Sequence, residues 1–134
     1  MKTFIIPVDI YRKDVLFHYG TIDSLLCEVK NFDFTEKEIK EIKEEIDDAP
    51  NSYGYTISLD DGREIIFIDS SLDLRTSLLV IDHECYHAVE ALYRSIGVYP
   101  NTSNEECYAY LHEYLLGRII DQLGWQIVGK AKNS

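Results

Sequence analysis

The amino-acid sequence predicts an α+β protein in which a small, mostly antiparallel sheet packs against two long helices. Three observations support this prediction. β-Branched and aromatic runs with the period of strands lie in the N-terminal half of the chain. Residues 71–97 contain no internal Gly or Pro, and their apolar side chains go nearly all round a helical axis. Residues 103–124 form a second long, mostly apolar helical segment after a short loop.

The first elements are predicted as follows. Residues 3–11 read as a strand, and Pro7 places it at an edge of the sheet because proline cannot donate to a strand ladder. Residues 15–29 begin as a strand and turn into a short helix near Ser24. Residues 35–46 form an amphipathic helix with one stripe of isoleucines.

Local signals define the next elements. Thr35 and Glu38 have the spacing of a capping box, in which each residue caps the other's backbone N–H. Residues 53–69 are predicted to form a hairpin, since Asp61-Gly62 is a turn signal between two alternating runs. The second run contains four consecutive large apolar residues and is typical of a strand buried on both faces. The long helix that follows ends at Gly97.

Size and charge exclude several classes of function. The chain has 134 residues, which suits a single domain spanning residues 1–134. Its net charge of −11 argues against nucleic acids and anionic membranes as partners, because both require clustered Lys and Arg. The three cysteines contain no C-x-x-C pair, and an odd number does not suit a disulfide framework. Without an apolar run long enough for a membrane span, we expect a cytoplasmic protein.

The motif that carries chemistry is D-H-E-C-Y-H-A-V, which begins at Asp82. His83 and His87 are four residues apart, so on a helix both imidazoles leave the same face, one turn apart. At that spacing two neutral imidazoles can bind one Zn²⁺. Glu84 is rotated by roughly 100° from His83 on a helix, where it can act as a general base without ligating the metal.

A catalytic zinc site requires a third protein ligand and one open position. Glu105 and Glu106 begin the next predicted helix, and 18 residues separate His87 from Glu106. A carboxylate from that first turn would complete a site with two histidines and one glutamate. Both glutamates also have a structural interpretation, because Ser103 with Glu106 and Thr102 with Glu105 have the spacing of capping boxes.

A strand, an H-E-x-x-H helix and a downstream helix carrying Glu resemble the zincin metallopeptidases, specifically the gluzincin branch. The E-x-x-A-Y sequence from Glu106 to Tyr110 also resembles small zincin-like proteins of phages and mobile elements. The resemblance covers residues 53–124 and implies a minimal zincin-like fold with zinc-dependent peptide hydrolysis. It implies His83 and His87 as the first two zinc ligands, Glu106 as the third, and Glu84 as the base.

The chain departs from the gluzincin pattern at Tyr110. Many gluzincins carry an Asp at that position, four residues after the ligand Glu, to steady a metal-bound histidine. Asp82 and Glu113 are alternative candidates for that role here. A donor that stabilises the oxyanion of the transition state could come from Tyr86, Tyr99, Tyr108 or Tyr110. Tyr110 is on the same predicted helical face as Glu106, so we consider it first.

The remaining candidates have structural interpretations. His18 and His112 are predicted to be packing or surface histidines, and the three cysteines small buried side chains. The functional hypothesis is hydrolysis of a peptide or protein substrate, which would pair as an extended strand with residues 63–69. The alternative hypothesis is a non-catalytic zincin-like module of a mobile element that binds metal or protein.

Overall fold

The structure, a computed structural model, describes residues 1–48 and 53–125. Four strands form one mixed sheet: β1 (Lys2–Val8), β2 (Lys13–Gly20), β3 (Gly54–Ser58) and β4 (Glu64–Asp69). Their order is β1-β2-β4-β3, with β2 and β4 parallel and the other two pairs antiparallel. The predicted α+β class is therefore confirmed, and the sheet is mostly antiparallel. The predicted domain, residues 1–134, also includes residues outside the described ranges.

Helices cover both faces of this sheet. The helices are α1 (Ile22–Glu28), α2 (Glu36–Asp48), α3 (Leu74–Ser95) and α4 (Glu105–Leu123), with short 3₁₀ turns at Asp9–Tyr11 and Val29–Asn31. In β4, Ile65 and Phe67 pack in the cluster that contains α1 and α2, whereas Ile66 and Ile68 pack in the cluster with α3 and α4. This alternation explains why β4 reads as an unbroken apolar run, since both of its faces are buried.

The local sequence signals correspond to observed caps and turns. Thr35 Oγ1 accepts from Glu38 N at 3.1 Å and Glu38 Oε1 accepts from Thr35 N at 2.9 Å, as the predicted capping box requires. Gly62 has φ +90°, a conformation in which a side chain would be strained, and it forms the hairpin turn. Pro7 lies in β1, at the predicted edge of the sheet.

Two expectations about the fold are wrong. Residues 63–69 were expected to present a free edge to a substrate, but β4 lies between β2 and β3, so its backbone groups are already paired. Neither predicted capping box forms at α4, whose N-cap residue is Asn104. The Ser103 hydroxyl instead donates to Asn101 Oδ1 at 2.6 Å. Capping therefore does not account for Glu105 and Glu106.

Among the described residues, no helix combines the length and the apolar character that crossing a membrane would require.

Candidate metal centre

Helix α3 turns the two motif histidines away from the core. Its side chains at Ile81, Cys85, Ala88, Val89 and Leu92 are fully buried, whereas His83 and His87 are exposed on the opposite side of the helix. The Nε2 atoms of His83 and His87 are 3.1 Å apart, and the two rings meet at 79°. The structure thus brings these two predicted ligands together, as their spacing on a helix requires.

The histidine pair fits one Zn²⁺. Two ligand nitrogens at roughly 2.0–2.1 Å from a tetrahedral zinc are about 3.3 Å apart, and the observed 3.1 Å is close to that separation. A metal ion between the rings requires both facing nitrogens to be unprotonated, because each must offer its lone pair to the ion. The same separation can be bridged by one N–H···N hydrogen bond in the absence of metal.

Glu84 has a different environment from the histidines. Its side chain is 8% exposed and lies against β3. The hydroxyl of Thr56, on β3, is 2.7 Å from Oε1 of Glu84 and 3.0 Å from its backbone carbonyl oxygen. Among the described residues, no hydrogen bond to Oε2 of Glu84 is present, so this oxygen can accept a proton from another partner.

Small residues on β3 allow α3 to come this close. A Cβ atom at Gly54 would be 2.7 Å from Cγ1 of Val80 and 3.2 Å from Cγ of Glu84. Those distances are shorter than normal contacts, so any side chain at residue 54 would push α3 away from β3. Gly54 and Thr56 therefore set the position of the Glu84 carboxylate.

The third ligand is not assembled. Within residues 1–48 and 53–125, no three His, Cys, Asp or Glu side chains are grouped so that they could hold a metal ion. Glu105 and Glu106 are both exposed in the first turn of α4. His112 of α4 contacts Asp82 of α3, and Glu106 is roughly 120° around α4 from His112. Glu105, two turns before His112, is on nearly the same side as His112.

His112 has a partner that the sequence did not indicate. Its Nε2 atom is 3.0 Å from Oδ1 of Asp82 and 3.2 Å from the Asp82 carbonyl oxygen, and its ring is 6.3 Å from that of Tyr86. Asp82, a candidate for steadying a zinc-bound imidazole, is thus paired with His112 across α3 and α4. The prediction of His112 as a packing histidine agrees with this contact. No local periodicity could have revealed it, because it joins two helices.

Tyr110, predicted to stabilise an oxyanion, is 66% exposed. It lines a groove together with Asp9, Ile10 and Tyr11 from the 3₁₀ turn after β1. His83, Glu84 and His87 do not line this groove. Tyr110 is roughly 200° around α4 from His112, which explains why it faces away from α3.

No family model, curated protein or solved structure matches this chain.

The remaining candidate residues are His18 and the three cysteines, and among the described residues none of them belongs to a group that could hold a metal ion. His18 is fully buried, with its two ring nitrogens 2.6 Å from Thr3 Oγ1 and 2.7 Å from Ser24 Oγ. Burial lowers the pKa of His18, which therefore stays neutral. Cys85 is fully buried and burial raises its pKa to about 12, so it is a thiol in the core. Cys27 and Cys107 are exposed free thiols, which contradicts the expectation that all three cysteines are buried.

Proposed function

We propose that this chain is a zinc-dependent peptide hydrolase of the zincin type. The observation that carries the proposal is the 3.1 Å separation between Nε2 of His83 and Nε2 of His87 on the exposed side of α3. We assign the role of general base to Glu84, which follows His83 directly in the chain and whose carboxylate accepts a hydrogen bond from Thr56. A Zn²⁺ held by the two imidazoles would act as the Lewis acid for cleavage of an amide bond.

The residues of the chain have separate roles in this proposal. His83 and His87 hold the ion, and the third ligand comes from the first turn of α4. The motif resemblance implies Glu106 for that ligand, while the rotation of α4 favours Glu105. Glu84 takes a proton from the attacking water as the C–O bond forms and passes it to the amide nitrogen as the C–N bond breaks. The products are a carboxylate and an amine.

The proposal also covers the cellular compartment and the class of substrate. We infer a cytoplasmic protein that acts on a peptide or protein and has no nucleic acid or membrane partner. Its three free cysteines, Cys27, Cys85 and Cys107, are compatible with a reducing compartment. The net charge of −11 disfavours phosphate backbones and anionic lipid surfaces as binding partners.

The proposal is tested by zinc content and peptide cleavage in the same preparations. Purified wild-type protein, His87→Ala and Glu84→Gln are analysed for bound metal and for cleavage of a mixed-sequence quenched fluorescent peptide library. Glu44→Gln is the matched control, because Glu44 is an exposed carboxylate on α2, which packs on the other face of the sheet from α3.

We expect about one zinc per chain in the wild type and in the Glu84→Gln and Glu44→Gln variants, and none in His87→Ala. Cleavage should be lost in His87→Ala and should fall by at least about a hundredfold in Glu84→Gln, while Glu44→Gln stays active. A wild-type protein that binds no zinc in zinc-supplemented buffer would overturn the proposal. So would a Glu84→Gln variant as active as the wild type.

One observation favours a second candidate function, a non-catalytic module that binds metal or protein. No three-ligand group is present in the described part of the chain, and the Glu84 carboxylate is largely buried against Thr56. In that case zinc binds without cleavage of any library peptide, and Glu84→Gln alters neither zinc binding nor partner binding.

A further inference from the structure

A second candidate site lies between α4 and the turn that joins β1 to β2. It is a groove of about 450 Å³, a volume within the usual range for small-molecule sites. Its wall is mostly apolar and aromatic, with four tyrosines: Tyr11, Tyr93, Tyr110 and Tyr114. None of the residues of the candidate metal centre lines it.

We propose that this groove binds a small organic cation, a protonated amine carried on an aromatic or other apolar body. The proposal goes beyond peptide hydrolysis and does not depend on it. It rests on the hydrogen-bonding state of the tyrosines, on the one charged side chain in the wall and on the exposed apolar rim.

Three of the four tyrosine hydroxyls that line the groove donate their protons to other groups of the protein. Tyr93 donates to the Cys107 carbonyl oxygen at 3.1 Å, and Tyr114 donates to the Pro7 carbonyl oxygen at 2.6 Å. The Tyr11 and Tyr93 hydroxyls are 3.1 Å apart. A hydroxyl has only one proton, and Tyr93 donates its proton to the Cys107 carbonyl oxygen. Tyr11 is therefore the donor in the contact between the two hydroxyls.

These three hydroxyls keep lone pairs but no free proton. Burial raises the pKa of Tyr93, which therefore remains a phenol at neutral pH. Of the side chains that line the groove, only the exposed Tyr110 hydroxyl and the weakly donating Cys107 thiol still have a proton to offer. An occupant that fits this wall must therefore be a hydrogen-bond donor.

The negative charge of the groove wall favours a cationic hydrogen-bond donor over a neutral one. Asp9 is the charged side chain of the wall, it is exposed, and among the described residues it has no ion-pair partner. The faces of tyrosine rings also attract cations, because the ring quadrupole is negative above and below its plane. One face of Tyr114 already carries the Arg118 guanidinium, 5.8 Å from the ring centroid, so the cation of the ligand contacts the other tyrosines of the wall. An anionic ligand would face lone pairs, a carboxylate and a chain of net charge −11.

The rim of the groove accounts for the apolar body of the ligand. Ile10 is 81% exposed and Tyr110 is 66% exposed, which places two large apolar side chains in water at the mouth of one groove. Apolar surface that is concentrated at a concave site typically marks a place where a ligand covers it.

The test is a titration of isotope-labelled full-length protein, followed by amide NMR shifts. The probe is 2-phenylethylammonium chloride, and its neutral and anionic counterparts are 2-phenylethanol and 3-phenylpropionate. We expect saturable shifts in the amides of residues 8–11 and in the first half of α4 with the cation. Binding of the alcohol should be at least about threefold weaker, and the carboxylate should produce no saturable shift.

Variants assign the binding to the groove. Asp9→Asn should lower the affinity for the ammonium probe by roughly threefold to tenfold. Ile10→Lys adds a cation at the exposed rim and should lower this affinity at least as much. Asp14→Asn is the matched control, since Asp14 is an exposed acid on β2 outside this groove. It should bind like the wild type, as should His87→Ala. Equal affinity for the ammonium and the alcohol, or full binding by both Asp9→Asn and Ile10→Lys, would overturn the proposal.

Discussion

The hydroxyl of Thr56 lies 2.7 Å from Oε1 of Glu84 and so ties the edge strand β3 to the acidic residue of the H-E-x-x-H motif. Its single proton is shared with the Glu84 carbonyl oxygen, 3.0 Å away. In a largely buried position this contact fixes the orientation of the carboxylate. The general base of the proposed reaction is therefore positioned by the sheet as well as by its own helix.

Replacement of Thr56 should show this dependence. Thr56→Val keeps the shape of the side chain but removes the donor, so Oε1 of Glu84 loses its partner. We expect unfolding in urea to become easier by about 1–3 kcal/mol and peptide cleavage to fall by roughly tenfold. Thr56→Ser, which keeps the hydroxyl, is the control and should retain most of the activity. If the valine variant cleaved peptides like the serine variant, Thr56 would have no role in orienting the base.

The third ligand of the proposed zinc site can be tested by paired substitutions in the first turn of α4. Because Glu105 is on the side of α4 that carries His112, we expect Glu105→Gln to lower zinc affinity by at least about tenfold. Glu106→Gln should have a smaller effect. Competition with a chromophoric chelator measures both affinities. The reverse order would support the ligand that the motif implies and would require the first turn of α4 to rotate when zinc binds.

Glu64 should make stability depend on pH between 4.5 and about 8. It is 1% exposed, accepts a 2.6 Å hydrogen bond from Ser58 Oγ, and burial raises its pKa to about 8 from an ordinary value of 4.5. The folded state thus retains a proton that the unfolded chain loses. Its contribution to stability is complete below pH 4.5 and is lost as the pH rises through 8.

The corresponding variant is Glu64→Gln, which keeps an acceptor for Ser58 but cannot ionise. Between pH 5 and 8 Glu64 lowers the wild-type unfolding free energy by at most about 1.4 kcal/mol per pH unit, and this decline should be absent in the variant. Urea unfolding at several pH values measures it, with the exposed Glu44→Gln as control. Parallel pH profiles for wild type and Glu64→Gln would show that Glu64 does not retain its proton.

His18 should make the protein less stable as the pH falls, whereas Glu64 makes it less stable as the pH rises. Burial lowers its pKa below 6.5, so the unfolded chain takes up a proton that the folded chain resists. Its contribution to stability is present above pH 6.5 and is lost as the pH falls through the lowered pKa. In His18→Gln we expect lower stability at pH 7.5, by about 1–3 kcal/mol, but a weaker decline towards pH 5. An unchanged acid decline in that variant would assign it to other groups.

Much of the candidate site was predictable from the sequence because its geometry is local. The distance between His83 and His87 follows from their spacing of four residues on one helix. The position of Glu84 follows from its place directly after His83 on the same helix. The rotation of α4 was not predictable, since packing of Tyr108, Leu111, Leu115 and Ile119 against the core sets it. That rotation turns His112 towards Asp82 and leaves Tyr110 at a different groove.

The sequence by itself determined the elements: the strand and helix periods, the Thr35–Glu38 capping box, the turn at Gly62 and the histidine pair. These depend on backbone bonds and side chains only a few residues apart. Only the tertiary structure decided that β2 pairs in parallel with β4, that β3 is at the edge and that Thr56 meets Glu84. Such contacts join distant parts of the chain, and the energy that selects them comes from burying whole faces of helices and sheet against each other.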